Sequence, residues 1–186
     1  PSLAAGVVLP PKMVSLPPAP SSLSLPASPL RVLPRPLAIR WLSAAVPVGP
    51  EAAIDFLTDL ANHHRLHPFL VSAVVVGEGS TAEGPFQDWR VLERPRLGPL
   101  RYPIRFGARL IRTSATSFVS QVLAAPGCTI EAVTTAEPLG LAGTAYLRER
   151  SVVRAPRLLL GYMAGQAEHA HRLTMARLPE VLARAT

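Results

Sequence analysis

The residues best able to do chemistry are the histidines. The chain has five: three in one run, His63-His64-Arg65-Leu66-His67, and two, His169 and His171, near the other end. Side chains four apart, as His63 and His67 are, stack on one face of a helix and could share a metal ion. His67 precedes Pro68, however, which steers it out of helical backbone, and no His-Glu-x-x-His arrangement supplies a hydrolytic zinc site. The expectation is a solvated helix end, where partly charged imidazoles suit the negative C-terminus, with no metal and no cofactor.

Other catalysis would need a nucleophile beside a base, or acid and base groups inside a pocket. Neither a Gly-x-Ser-x-Gly elbow nor a glycine-rich phosphate loop occurs. Tyr102, Tyr162 and His171 are the candidates for acid–base work. Asp88 or Arg90 would join them if the third strand turned them inward. The favoured alternative is that these two pair on the surface, because an isolated buried charge is costly. Cys128 is the only cysteine, so an internal disulfide and a cysteine zinc site are excluded. It begins a strand with no visible activator and reads as a small buried hydrophobe. No catalytic residue is assigned.

The elements that would position these groups follow from periodicity. Leu37, Ile39, Trp41, Ser43 and Ala45 alternate with Ala38, Arg40, Leu42 and Ala44, which predicts a strand ending at Val46-Pro47-Val48-Gly49-Pro50. Pro50 suits a first helical turn and Glu51 its positive end. Ala53, Phe56, Leu57 and Leu60 then recur at helical spacing through Asn62. Six strands are expected next, over 69–76, 86–92, 100–111, 116–124, 128–135 and 141–153. Short glycine or proline connections such as Gly77-Glu78-Gly79-Ser80 make them an antiparallel meander. In the third of these, Tyr102, Ile104, Phe106, Ala108 and Leu110 oppose Arg101, Arg105 and Arg109, one face dry and one wet. Residues 156–185 predict a long helix with a stripe of Leu159, Met163, Ala167, Ala170 and Leu173. Pro179 should kink it near Met175 or make it end and restart.

Residues 1–36 hold 10 of the 21 prolines and serine-rich patches, a composition expected to give a disordered extension ahead of a domain at 37–186. Hydrophobic residues are 48% of the chain and charged residues 17%, which suits a packed domain. The net charge is +7, yet the arginines are spread without a basic stripe, so nucleic-acid binding is not expected. The apolar stretch from Leu3 is too short to span a bilayer and has no basic flank, so no signal peptide and no stable membrane insertion are expected. A single cysteine fits a reducing, cytoplasmic setting.

The order strand, short helix, six strands, long helix resembles the START and polyketide-cyclase superfamily, SRPBCC, with its helix-grip fold. The residues that carry the likeness are the run Pro50-Glu51-Ala52-Ala53-Ile54-Asp55-Phe56-Leu57-Thr58-Asp59-Leu60, then His67-Pro68, Asp88-Trp89-Arg90-Val91, and Ala176-Arg177-Leu178-Pro179. The resemblance covers 37–186. It implies an α+β fold in which a seven-stranded curved antiparallel sheet wraps round the C-terminal helix and leaves a cavity for a small hydrophobic molecule, such as a lipid or polyketide. By strand parity and helix phase its lining would include Trp41, Tyr102, Ile104, Phe106, Phe118, Tyr162 and Met163, each of which could equally be plain core. Ligand binding is the first expectation. A cyclase or aromatase is the second, and a protein-interaction module of the same fold the third. A polar group aimed into the cavity would favour the enzyme, an all-apolar cavity the carrier, and a filled core with an exposed apolar patch the interaction module. Oligomeric state is not legible in the sequence.

Overall fold

A computed structural model of the chain describes residues 37–94, 96–97, 100–124, 127–140 and 142–184; the expected extension at 1–36 lies outside them. The elements run β1 (Leu37–Val46), α1 (Pro50–Thr58), a 3₁₀ helix (Leu60–Arg65), β2 (Leu70–Thr81), β3 (Gly84–Glu93), β4 (Arg96–Leu97), β5 (Leu100–Arg101), β6 (Ile104–Ser114), β7 (Ser117–Ala124), β8 (Cys128–Pro138), β9 (Ala145–Arg154) and α2 (Leu160–Ala183). Seven strands form one antiparallel sheet in the order β1-β9-β8-β7-β6-β3-β2, and β4 and β5 make a separate two-stranded ribbon. The expected strand, short helix, six strands and long helix are therefore all present. From β2 the main-sheet strands follow one another across the sheet, and β1, joined to β2 at the far edge through α1 and the 3₁₀ helix, pairs with the last strand, β9.

Local chemistry sets the boundaries. Gly49 N-caps α1 and Pro50 occupies its first turn, where a missing N–H costs nothing. The helix stops at Thr58 rather than Asn62, because Asp59 turns extended and its carboxylate accepts the Ala61 N–H at 2.9 Å, starting the tighter 3₁₀ turn. Gly77-Glu78-Gly79-Ser80 does not turn. A bulge between Val75 and Gly77 carries the chain on to Thr81, and the hairpin lies beyond it. Gly84 ends that hairpin at φ 142°, where an added Cβ would lie 2.1 Å from the Arg112 carbonyl oxygen, so only glycine lets β3 start this close to β6. The expected strand over 100–111 is interrupted at Tyr102 and Pro103, since proline brings no donor to the ladder, and β6 begins at Ile104.

The α2 helix packs against β1 and β9, and the Arg40 guanidinium of β1 donates to Glu168 of α2 at 2.6 Å. It runs unbroken through Pro179 and does not end and restart. Met175, Leu178 and Leu182 are buried on both sides of the proline. Each such side chain contributes about 1.5–3 kcal/mol, which offsets the one backbone hydrogen bond lost. α1 is the floor of the same core, with Ala53, Ile54 and Leu57 buried against Val46, Ala136, Ala145 and Leu147. No helix among the described residues is long and apolar enough to cross a membrane.

Candidate functional site

Between the inner face of the sheet and α2 lies a cavity of about 280 Å³. It exists because the facing positions are small. Ala108, Ser120, Ala124, Ala132 and Thr134 come from β6, β7 and β8, and Ala167, Ala170 and Thr174 from α2. Interiors normally interdigitate to crystal-like density, and residues this short on both sides leave the middle unfilled. Leucine, valine and phenylalanine side chains complete most of the wall.

Of the seven residues expected to line it, Phe106 and Phe118 border the cavity deeply, Ile104 and Tyr162 border it while remaining exposed, and Met163 joins them from α2. Trp41 and Tyr102 are elsewhere. Trp41 is 67% exposed on the outer face of β1, with the Arg150 guanidinium 5.8 Å from its ring. The helix packs on the opposite face of β1, whose small residues and Arg40 let it come close. Tyr102 is 64% exposed in the interruption before β6.

Asp88 and Arg90 do not reach the cavity, nor do they pair with each other. The register sets Asp88 opposite Arg109, which donates to it twice, at 2.7 and 2.8 Å, on the outer face of the sheet. That guanidinium holds the Asp88 carboxyl below the usual carboxylate range. Residues across a ladder stand closer than residues two apart along a strand, so Arg109 outcompetes Arg90. Cys128 is buried at the start of β8.

His64 is at a solvated helix end as expected, exposed with its ring on the Ala61 carbonyl, but the other four histidines are not. His63, His67, His169 and His171 all border the cavity, together with Glu93 of β3 and Glu149 of β9. His67 is 8% exposed; its Nδ1 is buried without a hydrogen-bond partner and lies 3.9 Å from a Glu93 oxygen, while Phe69 meets its ring edge-on at 5.5 Å. Burial, reinforced by the charges of His171, His63, Arg177 and His169, lowers the His67 pKa to about 4, so it is neutral at pH 7. Burial also drives His63 down, against the hydrogen bond that its Nε2–H donates to the Leu57 carbonyl at 2.9 Å. Burial pushes the Glu93 carboxyl up, against the pull of His171.

His171 goes the other way. Burial opposes its charge, but the Glu149 carboxylate, which accepts the Nδ1–H, and the more distant Glu93 outweigh that and raise its pKa. Glu149 is 8% exposed and also receives the Ser151 hydroxyl at 3.5 Å. The result is an imidazolium–carboxylate pair set in a mostly apolar wall. Among the described residues, no three or more His, Cys, Asp or Glu side chains are grouped to hold a metal ion.

Glu93 and Glu149 were missed by sequence reasoning, although a signal existed. Ala145, Leu147, Glu149, Ser151 and Val153 share the inward phase of β9, and Trp89, Val91 and Glu93 that of β3. A carboxylate on the dry phase of a strand marks a site.

No family model matches the sequence, and no curated protein matches it. Solved structures do. The Zhui aromatase/cyclase of Streptomyces sp. R1128 superposes with a TM-score of 0.64 at 14% identity, over 81% of this chain and 96% of that one. The di-domain ARO/CYC BexL of the BE-7585A biosynthetic pathway gives a TM-score of 0.60 at 15% identity, over 78% of this chain; the match spans 46% of BexL. A START superfamily protein of Mycobacterium smegmatis gives 0.57 at 13% identity, over 77% of this chain and 98% of that one. At these identities the likeness establishes the fold.

Proposed function

We propose that this chain, a START-like helix-grip fold, binds a small apolar molecule between its sheet and its C-terminal helix. The observation that carries this reading is the cavity of about 280 Å³ walled mainly by aliphatic and phenylalanine side chains. An empty apolar space of this size forgoes packing contacts, and a ligand restores them. An engineered apolar cavity of about 150 Å³ accepts benzene, so a space near twice that suits roughly two fused rings or a short branched chain.

The test is native against denaturing mass spectrometry of the full chain, followed by a thermal-shift panel of bicyclic and acyl compounds. A molecule released on denaturation, or a compound that raises Tm, supports the reading. A ligand at a hundred times its Kd stabilises by about 2.7 kcal/mol, which is roughly 5–10 °C for a chain of this size. A clean apo mass with no stabilising compound overturns it.

A second reading, aromatase or cyclase activity, is favoured by the His171–Glu149 pair and Glu93, since acid–base groups aimed into a cavity are what such chemistry requires. Two of the structural neighbours carry that activity in their names. Turnover of a poly-β-carbonyl substrate by the wild type, abolished in Glu149→Gln, would support it. Binding of that substrate without any product would refute it.

A further inference from the structure

We propose that His171 is the polar anchor of the cavity, donating its Nε2–H to a carbonyl oxygen of a two-ring-sized apolar ligand, with Glu149 as the positioning residue behind it. The inference rests on the binding reading above and specifies the ligand: an apolar skeleton bearing an uncharged acceptor oxygen.

Geometry assigns the role. Nδ1 of His171 is committed to Glu149, so the ring can offer the cavity only Nε2. No described residue hydrogen-bonds that nitrogen, and it is not sealed off, since the buried, partnerless side-chain atoms are His67 Nδ1 and Trp89 Nε1. Glu149 is itself nearly buried and held by Ser151, so the imidazole has a fixed orientation, the arrangement by which a hydrogen-bonded carboxylate aims a histidine.

The other titratable groups are less suited. His67 Nδ1 is covered by protein, and His63 gives its Nε2–H to Leu57. Glu93 and Glu149 would repel a ligand carboxylate, which leaves a neutral acceptor as the better match to a protonated His171. The groups facing His171 are Glu149 from β9, Glu93 from β3, His63 from the 3₁₀ helix and His67 from the turn before β2. Burial opposes the proton on the ring and the two carboxylates keep it there, while His63 and His67 are both driven toward the neutral form. The carboxylates prevail and raise the pKa above the ordinary imidazole value, which favours the ring that carries a proton on Nε2 as well as on Nδ1. A hydrogen bond from a charged donor is worth about 1.5–3 kcal/mol net, or roughly 10- to 100-fold in affinity.

The probes are 1-tetralone and tetralin, which share a bicyclic skeleton and differ by one carbonyl. Both are titrated calorimetrically into the full chain. The wild type at pH 6 is expected to bind the ketone roughly ten-fold or more tightly than the hydrocarbon. The preference should fade as rising pH takes the proton from His171. His171→Phe should erase it, so that the variant binds ketone and hydrocarbon within about three-fold of each other. Glu149→Gln should shift its loss to lower pH, a displacement that a merely structural role would not produce. If His171→Phe fails to fold, the pH profile of Glu149→Gln decides alone. Tetralin binding without a ketone preference, or a preference that survives in His171→Phe, overturns the anchor and leaves the cavity reading intact. Binding of neither probe overturns both.

Discussion

Replacing Ala108 by Leu separates a genuine cavity from a tightly packed core, because the two give opposite signs. Ala108 is buried on β6 between Trp89 and Val122, and its side chain borders the cavity. Three added carbons fill roughly 75 Å³, and at about 24 cal/mol per Å³ of void removed the ceiling on stabilisation is roughly 1.8 kcal/mol. In a packed interior the same change would cost about 1–3 kcal/mol through forced rotamers and backbone shifts. Ala108 sits away from His171 and Glu149, so the polar patch is untouched. Urea unfolding should show a midpoint equal to or above wild type with an unchanged m-value. Thermal unfolding should show Tm raised by up to roughly 4–7 °C. Removing about a quarter of the space should also weaken tetralin binding at least ten-fold. A loss of more than about 1 kcal/mol together with unchanged tetralin binding would refute the reasoning, since it would mean that no space was there to fill.

Other perturbations probe separate parts of the molecule. Trp41→Ala should leave probe affinity unchanged in calorimetry, because its ring lies on the outer face of β1, 67% exposed. Leu178→Ala removes a fully buried side chain from α2 and should cost about 2–5 kcal/mol by urea unfolding. Acidification tests His67. Its folded pKa is lowered to about 4 from 6.5, so the unfolded chain takes the proton first, and stability should fall as pH drops from 6.5 to 4, by on the order of 3 kcal/mol. His63 adds to that slope. His171 works against it, its contribution being present at low pH and lost as pH rises through its raised folded value. Glu93 behaves likewise, its share being held below its unfolded value and lost as pH rises through the raised one. His67→Phe should therefore flatten the decline between pH 6.5 and 4 relative to wild type, as read by urea midpoints at half-unit steps; an unchanged slope would count against a buried neutral imidazole.

Much of the architecture was legible because it rests on period and punctuation. Ile104, Phe106, Ala108 and Leu110 alternate with arginines and do face inward, since one side of an antiparallel sheet must be dry. Trp41 was placed on the wrong face for an informative reason. Apolar size pointed inward, but Ala38, Arg40, Leu42 and Ala44 take the face of β1 that meets α2, where Arg40 pairs with Glu168, and alternation leaves Trp41 on the other. The histidines were visible as a cluster, yet their surroundings were not. Whether His67 is wet or dry depends on Glu93, Phe69 and α2, all brought to it by tertiary packing. Turn chemistry misled at Gly77, because a glycine that makes a bulge and a glycine that makes a turn look alike along the chain.

The position of the polar groups bears on how the cavity survives at all. A void lined wholly by flexible aliphatic side chains is under pressure to collapse, since every contact regained is favourable. Here α2 is tied to the sheet by Arg40–Glu168 and by His171–Glu149, and its far end is anchored through Leu178 and Leu182 on the core under α1. These ties act as struts. The half of α2 carrying Ala167 and Ala170 would otherwise approach the sheet, but inward movement would compress two hydrogen-bonded ion pairs of fixed length. Breaking the buried strut by Glu149→Ala, rather than by the isosteric Gln, should therefore do more than remove a charge. Truncating one member of a buried pair costs about 3–5 kcal/mol when the helix stays in place. Collapse of α2 onto the sheet would recover part of that cost through new apolar contacts. Glu149→Ala should therefore lose tetralin binding along with the ketone preference, whereas Glu149→Gln loses only the preference at neutral pH. Equal tetralin affinity in the two variants would show that small residues alone keep the cavity open.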